Sequence, residues 1–349
     1  MGTHRKRGSR TTFAGVLLLL AVPAVFALAA CGGGGTPTPV SPAPMSSSAP
    51  TASPTAAAAQ KLRGMLPVVF TQSLIKKHGG GSTRTVGDVV QMRHTTWTYL
   101  QKSSDPRLSG RYDVVFNVDQ RQADMSARLW GTSRLSNQGG TWVGKWTGGI
   151  GAGGDVHHVY GTSRGTGGYA GLVSRGSGWF VEAGEGFTSD IQIVNAGWIE
   201  TTDGSPVPPA PGPGTTPAGW TPVVGIATTV HTAYDGSVPW VWDLQQSDPR
   251  VSGRLEGGVE EIGDARSDGS SDYRAESTVS NQNGAWDSPF GPVDLRGPGP
   301  GYEHFMYWTS TGSGAYAGLT YHGFWRFMEP RDFVPGDEFV YTGWIEEAK

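Results

Sequence analysis

Residues 157–176 read HHVYGTSRGTGGYAGLVSRG, and residues 304–323 read HFMYWTSTGSGAYAGLTYHG. They align without a gap at an offset of 147, sharing His157/His304, Tyr160/Tyr307, Gly165/Gly312, Gly167/Gly314, Tyr169/Tyr316, Ala170/Ala317, Gly171/Gly318, Leu172/Leu319 and Gly176/Gly323. Upstream, Ser104-Asp105-Pro106-Arg107-Leu108-Ser109-Gly110-Arg111 recurs as Ser247-Asp248-Pro249-Arg250-Val251-Ser252-Gly253-Arg254. Trp97-Thr98-Tyr99 recurs as Trp240-Val241-Trp242, and Ser136-Asn137-Gln138 with Trp142 as Ser280-Asn281-Gln282 with Trp286. The halves end alike, on Gly197-Trp198-Ile199-Glu200 and Gly343-Trp344-Ile345-Glu346. This collinear order describes two copies of one unit.

The unit reads as all-β. The chain holds 54 Gly and 13 Trp, a composition that disfavours long helices and suits strands joined by tight turns. Strand-like runs in the first copy fall at 66–75, 86–99, 110–118, 126–135, 141–148, 155–163, 169–175 and 190–199, separated by Gly/Asn/Asp turns. Tyr112, Val114, Phe116 and Val118 alternate and share one face. About eight short antiparallel strands close well into a barrel, which removes exposed edges; a sandwich is the alternative. The fold expected is two tandem antiparallel β-barrels, at 64–200 and 220–349, joined by a Pro/Gly linker at 201–219.

The segments 165–172 (GTGGYAGL) and 312–319 (GSGAYAGL) resemble the glycine-rich hairpin of the allene oxide cyclase and dirigent barrels. That resemblance implies an eight-stranded barrel and carries over no catalytic residue.

The amino terminus has a different character. Arg5, Lys6, Arg7 and Arg10 precede an uncharged apolar run from Val16 to Ala30, a signal-peptide pattern over residues 1–30. The run has fifteen residues and contains Pro23, short of the roughly 20 that a spanning helix needs. Leu28-Ala29-Ala30-Cys31 resembles the lipobox of bacterial lipoproteins. It implies cleavage between Ala30 and Cys31, a diacylglycerol thioether on Cys31 and further acylation, with membrane lipid as partner on the extracytoplasmic face of a bacterial membrane. Simple secretion and a retained helix are the alternatives. Residues 31–63 start with an uncharged Gly/Pro/Ser/Ala stretch and read as a disordered tether.

The signal takes four of 27 Lys+Arg and none of 30 Asp+Glu, so the remaining chain carries a formal charge of −7. An acidic chain with no basic run argues against nucleic-acid partners. Cys31 is the sole cysteine, which leaves no internal disulfide and no thiol nucleophile.

Motifs for chemistry are sparse. Ser-Asp-Pro-Arg reads as a turn, because Asp-Pro initiates turns and Asp caps its own backbone. His157 and His158 are adjacent on a strand and point oppositely, and no metal-ligand spacing involves them, His304 or His322. No metal or other cofactor is expected. Glu200 and Glu346 read as exposed strand ends. The repeated Trp97, Trp142, Trp198, Trp240, Trp286 and Trp344 read as barrel core. Trp130, Trp146, Trp179, Trp242, Trp308 and Trp325 have no tryptophan at the matching position and are the ligand-binding candidates. The expectation is a non-enzymatic protein for a small apolar or carbohydrate ligand or a surface partner. The alternative is a cyclase- or isomerase-like enzyme with a hydrophobic lumen.

Overall fold

The computed structural model describes residues 56–151, 157–180, 193–215, 219–231, 240–262, 273–289, 294–295, 303–328 and 335–347. The signal, Cys31 and the tether up to residue 55 lie outside them. Helix α1 (Ala56–Arg63) is followed by β1 (Met65–Lys77), β2 (Ser82–Val86), β3 (Val89–Ser103), β4 (Gly110–Arg121), β5 (Ala127–Asn137) and β6 (Gly140–Ile150). Strands β7 (His157–Gly167), β8 (Leu172–Phe180) and β9 (Ile193–Thr201) complete the first repeat. The second contains β10 (Thr221–His231), β11 (Trp240–Gln246), β12 (Gly253–Ile262), β13 (Tyr273–Asn281), β14 (Gly284–Pro289) and β15 (Asp294–Leu295). It ends with β16 (Glu303–Gly314), β17 (Leu319–Met328) and β18 (Glu338–Glu347).

Both sheets close into all-antiparallel rings. In the first, β1 pairs with β9 on one side and β3 on the other, making an eight-stranded barrel with β2 as a hairpin extension of β3. In the second, the β14–β16 pairing closes the ring, and β15 adds to β16. The hairpin β2, fully exposed, is the element the sequence pattern misses. The glycine-rich segments form the β7–β8 and β16–β17 turns. Gly167 (φ 67°) and Gly314 (φ 64°) take the left-handed backbone there, which a side chain would strain.

One end of each barrel is plugged in the same way. Asp105 caps the 3₁₀ turn Pro106–Leu108 by accepting from Arg107 N, and Asp248 does the same for Pro249–Val251. Trp142 Nε1 donates to Arg107 O and Trp286 Nε1 to Arg250 O, both at 2.8 Å. Tyr169 and Tyr316 stack on these indoles and donate to Asn137 and Asn281. Asn137 and Asn281 in turn donate to the turn carbonyls. The Ser-Asp-Pro-Arg repeat is therefore structural, a lid over the barrel end.

Two expectations need correction, and the linker gains a position. The tether is not disordered to residue 63. Helix α1 begins at Ala56, because Ala58 and Leu62 have an apolar surface to bury against. The described part of the linker, 201–215, is docked onto the first plug. Pro208 O accepts from Arg107 (2.9 Å), Thr215 N donates to Ser103 O (2.7 Å), and Val207 packs on the plug cluster. Trp198 and Trp344 are not barrel core; they sit on outer faces, where the barrels meet.

The barrels belong to one compact unit, and their junction is built twice. Trp344 and Phe324 of the second barrel pack on Val69, Val194 and Ala196 of the first. Trp198 and Met65 of the first pack on Val224, Ile226 and Val340 of the second, together with Ala58 and Leu62 of α1. Trp198 matches Trp344, Val69 matches Val224, and Val194 matches Val340 in the repeat alignment. The two halves thus meet through the same surface, the geometry of an isologous dimer within one chain. Thr342 Oγ1 donates across the junction to Ala196 O (3.1 Å).

Candidate functional site

The barrel interiors differ at equivalent positions. Strand register turns Gly161, Ser174 and Asn195 inward in the first barrel, where the second has Trp308, Tyr321 and Tyr341. In the second barrel those three rings, with Trp240, Trp242 and Trp286, are at most 6 % exposed. The rings press onto glycines: a Cβ on Gly323 would strike the Trp308 ring, and one on Gly225 would lie 2.5 Å from Tyr341 Cζ. Glycine here makes space for a neighbouring ring.

The first barrel carries smaller groups at these three positions, while Tyr112, Phe116, Trp146 and Phe180 pack on a smaller buried cluster of Tyr99, Val114 and Ile193. Gly176 is the counterpart of Gly323, yet a Cβ there would meet its nearest neighbours, Ala196 O and Phe70 Cζ, at 3.4 Å. At Gly161 the nearest atom would be 3.5 Å away. Phe70, Tyr112, Phe116, Trp146, Val159 and Phe180 all face inward and all retain solvent-accessible surface. The lumen of the first barrel is thus less tightly filled than that of the second at these positions, and its plugged end is closed by Leu108, Trp142 and Tyr169.

The polar groups deep in this lumen are neutral, and Lys77 stands opposite Trp97 at its rim. Gln72 Nε2 donates to Gln101 Oε1 (2.8 Å), and Gln101 Nε2 to Leu108 O (2.7 Å). The Tyr112 hydroxyl bonds with Ser133 and Gln72, and burial raises its pKa above the ordinary tyrosine range. Burial also raises Tyr99, with the neighbouring Tyr112 adding to it. Asn195 is 6 % exposed, and its Nδ2 has no hydrogen-bond partner among the described residues; nor has Trp146 Nε1. Trp97 lies half-buried at the rim, edge-on to Phe116 (4.7 Å) with Lys77 Nζ 4.8 Å from its centroid.

Of the four described side chains among the six tryptophans expected to bind ligand, Trp146 faces the lumen of the first barrel. Trp242 and Trp308 are core of the filled barrel, correcting that assignment. Trp130 is on the outer face, with the guanidinium carbons of Arg93 and Arg128 4.9 and 5.4 Å from its centroid. The side chains of Trp179 and Trp325 fall outside the described residues. Sequence reasoning missed Asn195 and the small residues Gly161 and Ser174. Aligning the repeats for size differences, rather than for shared tryptophans, would have found all three.

A second duplicated cluster flanks the junction. Arg175 Nε and Trp198 Nε1 donate to Glu200 at 2.8 Å each, so Glu200 is not a free strand end. In the second copy His322 Nε2 lies 3.1 Å from Glu346 Oε1, and the Tyr307 hydroxyl 3.0 Å from His322 Nδ1. His322 also stacks on Trp344 at 4.6 Å. This Tyr-His-Glu chain, with His322 8 % exposed, orients and covers Trp344. Among the described residues no group of three His, Cys, Asp or Glu is placed to hold a metal ion, and no helix is long and apolar enough to cross a membrane. No family model, no curated protein and no solved structure matches this chain.

Proposed function

We propose that the chain is an exported bacterial lipoprotein, cleaved behind Ala30 and acylated on Cys31, whose body binds a small apolar molecule in the lumen of the first barrel. The anchor rests on the basic head, the short apolar run and Leu28-Ala29-Ala30-Cys31. Two or more acyl chains are needed for stable attachment, and the chain has no basic run beyond the signal to assist them.

The observation that carries the binding reading is the contrast at matched positions, Gly161, Ser174 and Asn195 against Trp308, Tyr321 and Tyr341. A protein interior is normally filled to crystal-like density. The second barrel shows what filling this scaffold takes. The first carries smaller groups at those positions in an aromatic-lined lumen, the usual lining of a small-molecule site. A binding role is favoured over the cyclase-like alternative. The described inward positions of the first barrel hold amides, hydroxyls and indoles, with Lys77 and His157 toward the end away from the plug, and no pair of carboxylates for acid–base work.

Two measurements test this. Full-length protein extracted from its host in detergent and examined by native mass spectrometry should carry a small molecule. Replacement of Ser174 and Asn195 by tyrosine should abolish that adduct; an adduct kept by the double variant places the ligand elsewhere. Cys31→Ser should move the protein from the membrane to the soluble or uncleaved fraction. Unchanged cleavage and membrane retention would rule out the lipid anchor.

A further inference from the structure

We infer that the outer face of β5, β6 and β7 is an electrostatic docking surface for anionic lipid headgroups, with Arg134, Lys145 and Arg164 as the groups that meet them. The inference rests on the lipoprotein reading, which keeps the body beside a bilayer, and is independent of what the first lumen holds.

Strand register assembles the face. Arg134 on β5 and Arg164 on β7 each stand directly across from Val143 on β6. Lys145 lies two residues along β6 on the same side, between Thr132 and Thr162. Opposed residues are about 5 Å apart and alternate residues of a strand about 7 Å, so three cations surround Val143. All three are exposed, and Val143 is 49 % exposed among them. None of the three forms an ion pair among the described residues. The carboxylates at the margins are engaged elsewhere. Asp113, across from Arg134, is bound by Arg111 and Thr98, Asp119 by Arg93, and Glu200 by Arg175. Trp130 and Arg128 extend the same side of β5, the guanidinium carbon 5.4 Å from the indole centroid.

The scaffold does not require this charge. In the second barrel Thr278, Asp287 and Thr311 hold the positions of Arg134, Val143 and Arg164, and Glu276 that of Thr132. Glu276 and Asp287 are exposed, so the matching face is acidic. The chain beyond the signal is acidic as a whole, and the patch reverses that sign locally. The junction is built on β1 and β9 and leaves β5–β7 outside it.

The surroundings of the cations select lipid as the occupant. An exposed valine among them and a tryptophan beside them suit a surface with charged heads over an apolar interior, where tryptophan side chains concentrate. Residues 32–55, between Cys31 and α1, can span up to about 80 Å, enough for the body to turn this face to the bilayer. Each cation near an anionic leaflet contributes about fivefold, from about 1 kcal/mol.

The test uses full-length acylated protein carrying Thr132→Cys, an exposed position inside the face, labelled there with nitrobenzoxadiazole. It is reconstituted in vesicles of phosphatidylcholine alone, or of equal parts phosphatidylcholine and phosphatidylglycerol, each with a trace of lipid bearing a nitroxide headgroup. The label should be quenched in the anionic vesicles and not in the neutral ones, and high salt should relieve the quenching. Arg134→Gln/Lys145→Gln/Arg164→Gln should lower the ratio of docked to free body about a hundredfold, the product of three fivefold losses. Arg63→Gln/Arg84→Gln/Lys102→Gln, the same charge loss at exposed positions on other elements, should leave it unchanged. Equal quenching in both vesicle types, no quenching in either, or equal losses in the two triple variants overturns the inference. A change in label emission that grows with protein concentration in detergent assigns the face to a second copy of the chain and also overturns it. Failure to float with phosphatidylcholine vesicles would sink the anchor alone. Flotation with the anionic vesicles, lost in the first triple variant, would then still support the face, and its absence would overturn it.

Discussion

The two barrels share strand order, plug and junction, and they differ in what lies inside. In the second, Trp240, Trp242, Trp286, Trp308, Tyr321 and Tyr341 form one buried aromatic core. In the first, the plugged end is as tightly made, but Gly161, Ser174 and Asn195 replace three of the rings. The lesson is a division of labour after duplication. One copy keeps a full aromatic core, while the other keeps the scaffold with smaller residues at three matched positions. The shared junction lets the filled copy support the less filled one, since Trp344 and Phe324 pack directly on β1 and β9 of the first barrel.

The sharpest way to break this comparison is to truncate one ring in each lumen. Trp308→Ala should destabilise the protein by about 3–5 kcal/mol, because it opens a cavity in a filled core. Trp146→Ala should cost less, about 1–2 kcal/mol, because its ring is only partly buried and gives up less burial on truncation. Denaturant unfolding of both variants gives the answer, and equal losses would mean that the first lumen is as full as the second.

The plugs offer a second, slightly smaller contrast. Asp105 and Arg107 are each 5 % exposed and are covered by the docked linker, whereas Asp248 and Arg250 are 15 % and 38 % exposed. Removing one partner of a buried pair strands the other charge. Asp105→Ala should therefore cost about 3 kcal/mol and Asp248→Ala on the order of 1 kcal/mol, by thermal or chemical melting. Similar costs would show that the linker does not shield the first plug.

The smallest contrast concerns tyrosines. The Tyr112 hydroxyl is hydrogen-bonded, and Tyr341's is buried without a partner among the described residues. At neutral pH Tyr112→Phe should lose about 1 kcal/mol, and Tyr341→Phe should be neutral or slightly stabilising. Burial raises the pKa of Tyr341 well above its ordinary 10.0 in the folded state. Its stabilising contribution is full below that value and falls as pH rises above it, since the unfolded chain then loses the proton first. Stability measured from pH 9 to 11 should decline, and Tyr341→Phe should flatten the upper slope by about 1.4 kcal/mol per pH unit. An unchanged slope would place Tyr341 in contact with water and the second lumen as open.

Much of the fold is legible in the sequence for a definite reason. Duplication marks equivalent positions, period-two alternation at Tyr112, Val114, Phe116 and Val118 marks the inward face, and the glycine turns fix the hairpins. The Asp-Pro-Arg turn is legible because its chemistry is local: a carboxylate accepting from its own backbone two residues on. The candidate site is only half legible. Trp146 stands out as a tryptophan without a counterpart, but so do Trp242 and Trp308, and nothing local separates a ring of the less filled lumen from a ring of the filled one. Asn195 gives no local signal, because its meaning depends on Gly178 beside it and on the rings that are missing across from it.

The sequence by itself determined that this chain has a signal-like head with one cysteine and a duplicated antiparallel body, since those features reside in neighbouring residues and in their repetition. Tertiary structure alone decided that Trp198 and Trp344 join the barrels rather than fill them, that residues 56–63 fold into a helix at that junction, and that one lumen is more densely filled with rings than the other. Burial is a property of what surrounds a side chain on every side. Ring closure and barrel packing bring together residues over a hundred positions apart, and only then is it settled which glycine has a ring over it and which has space.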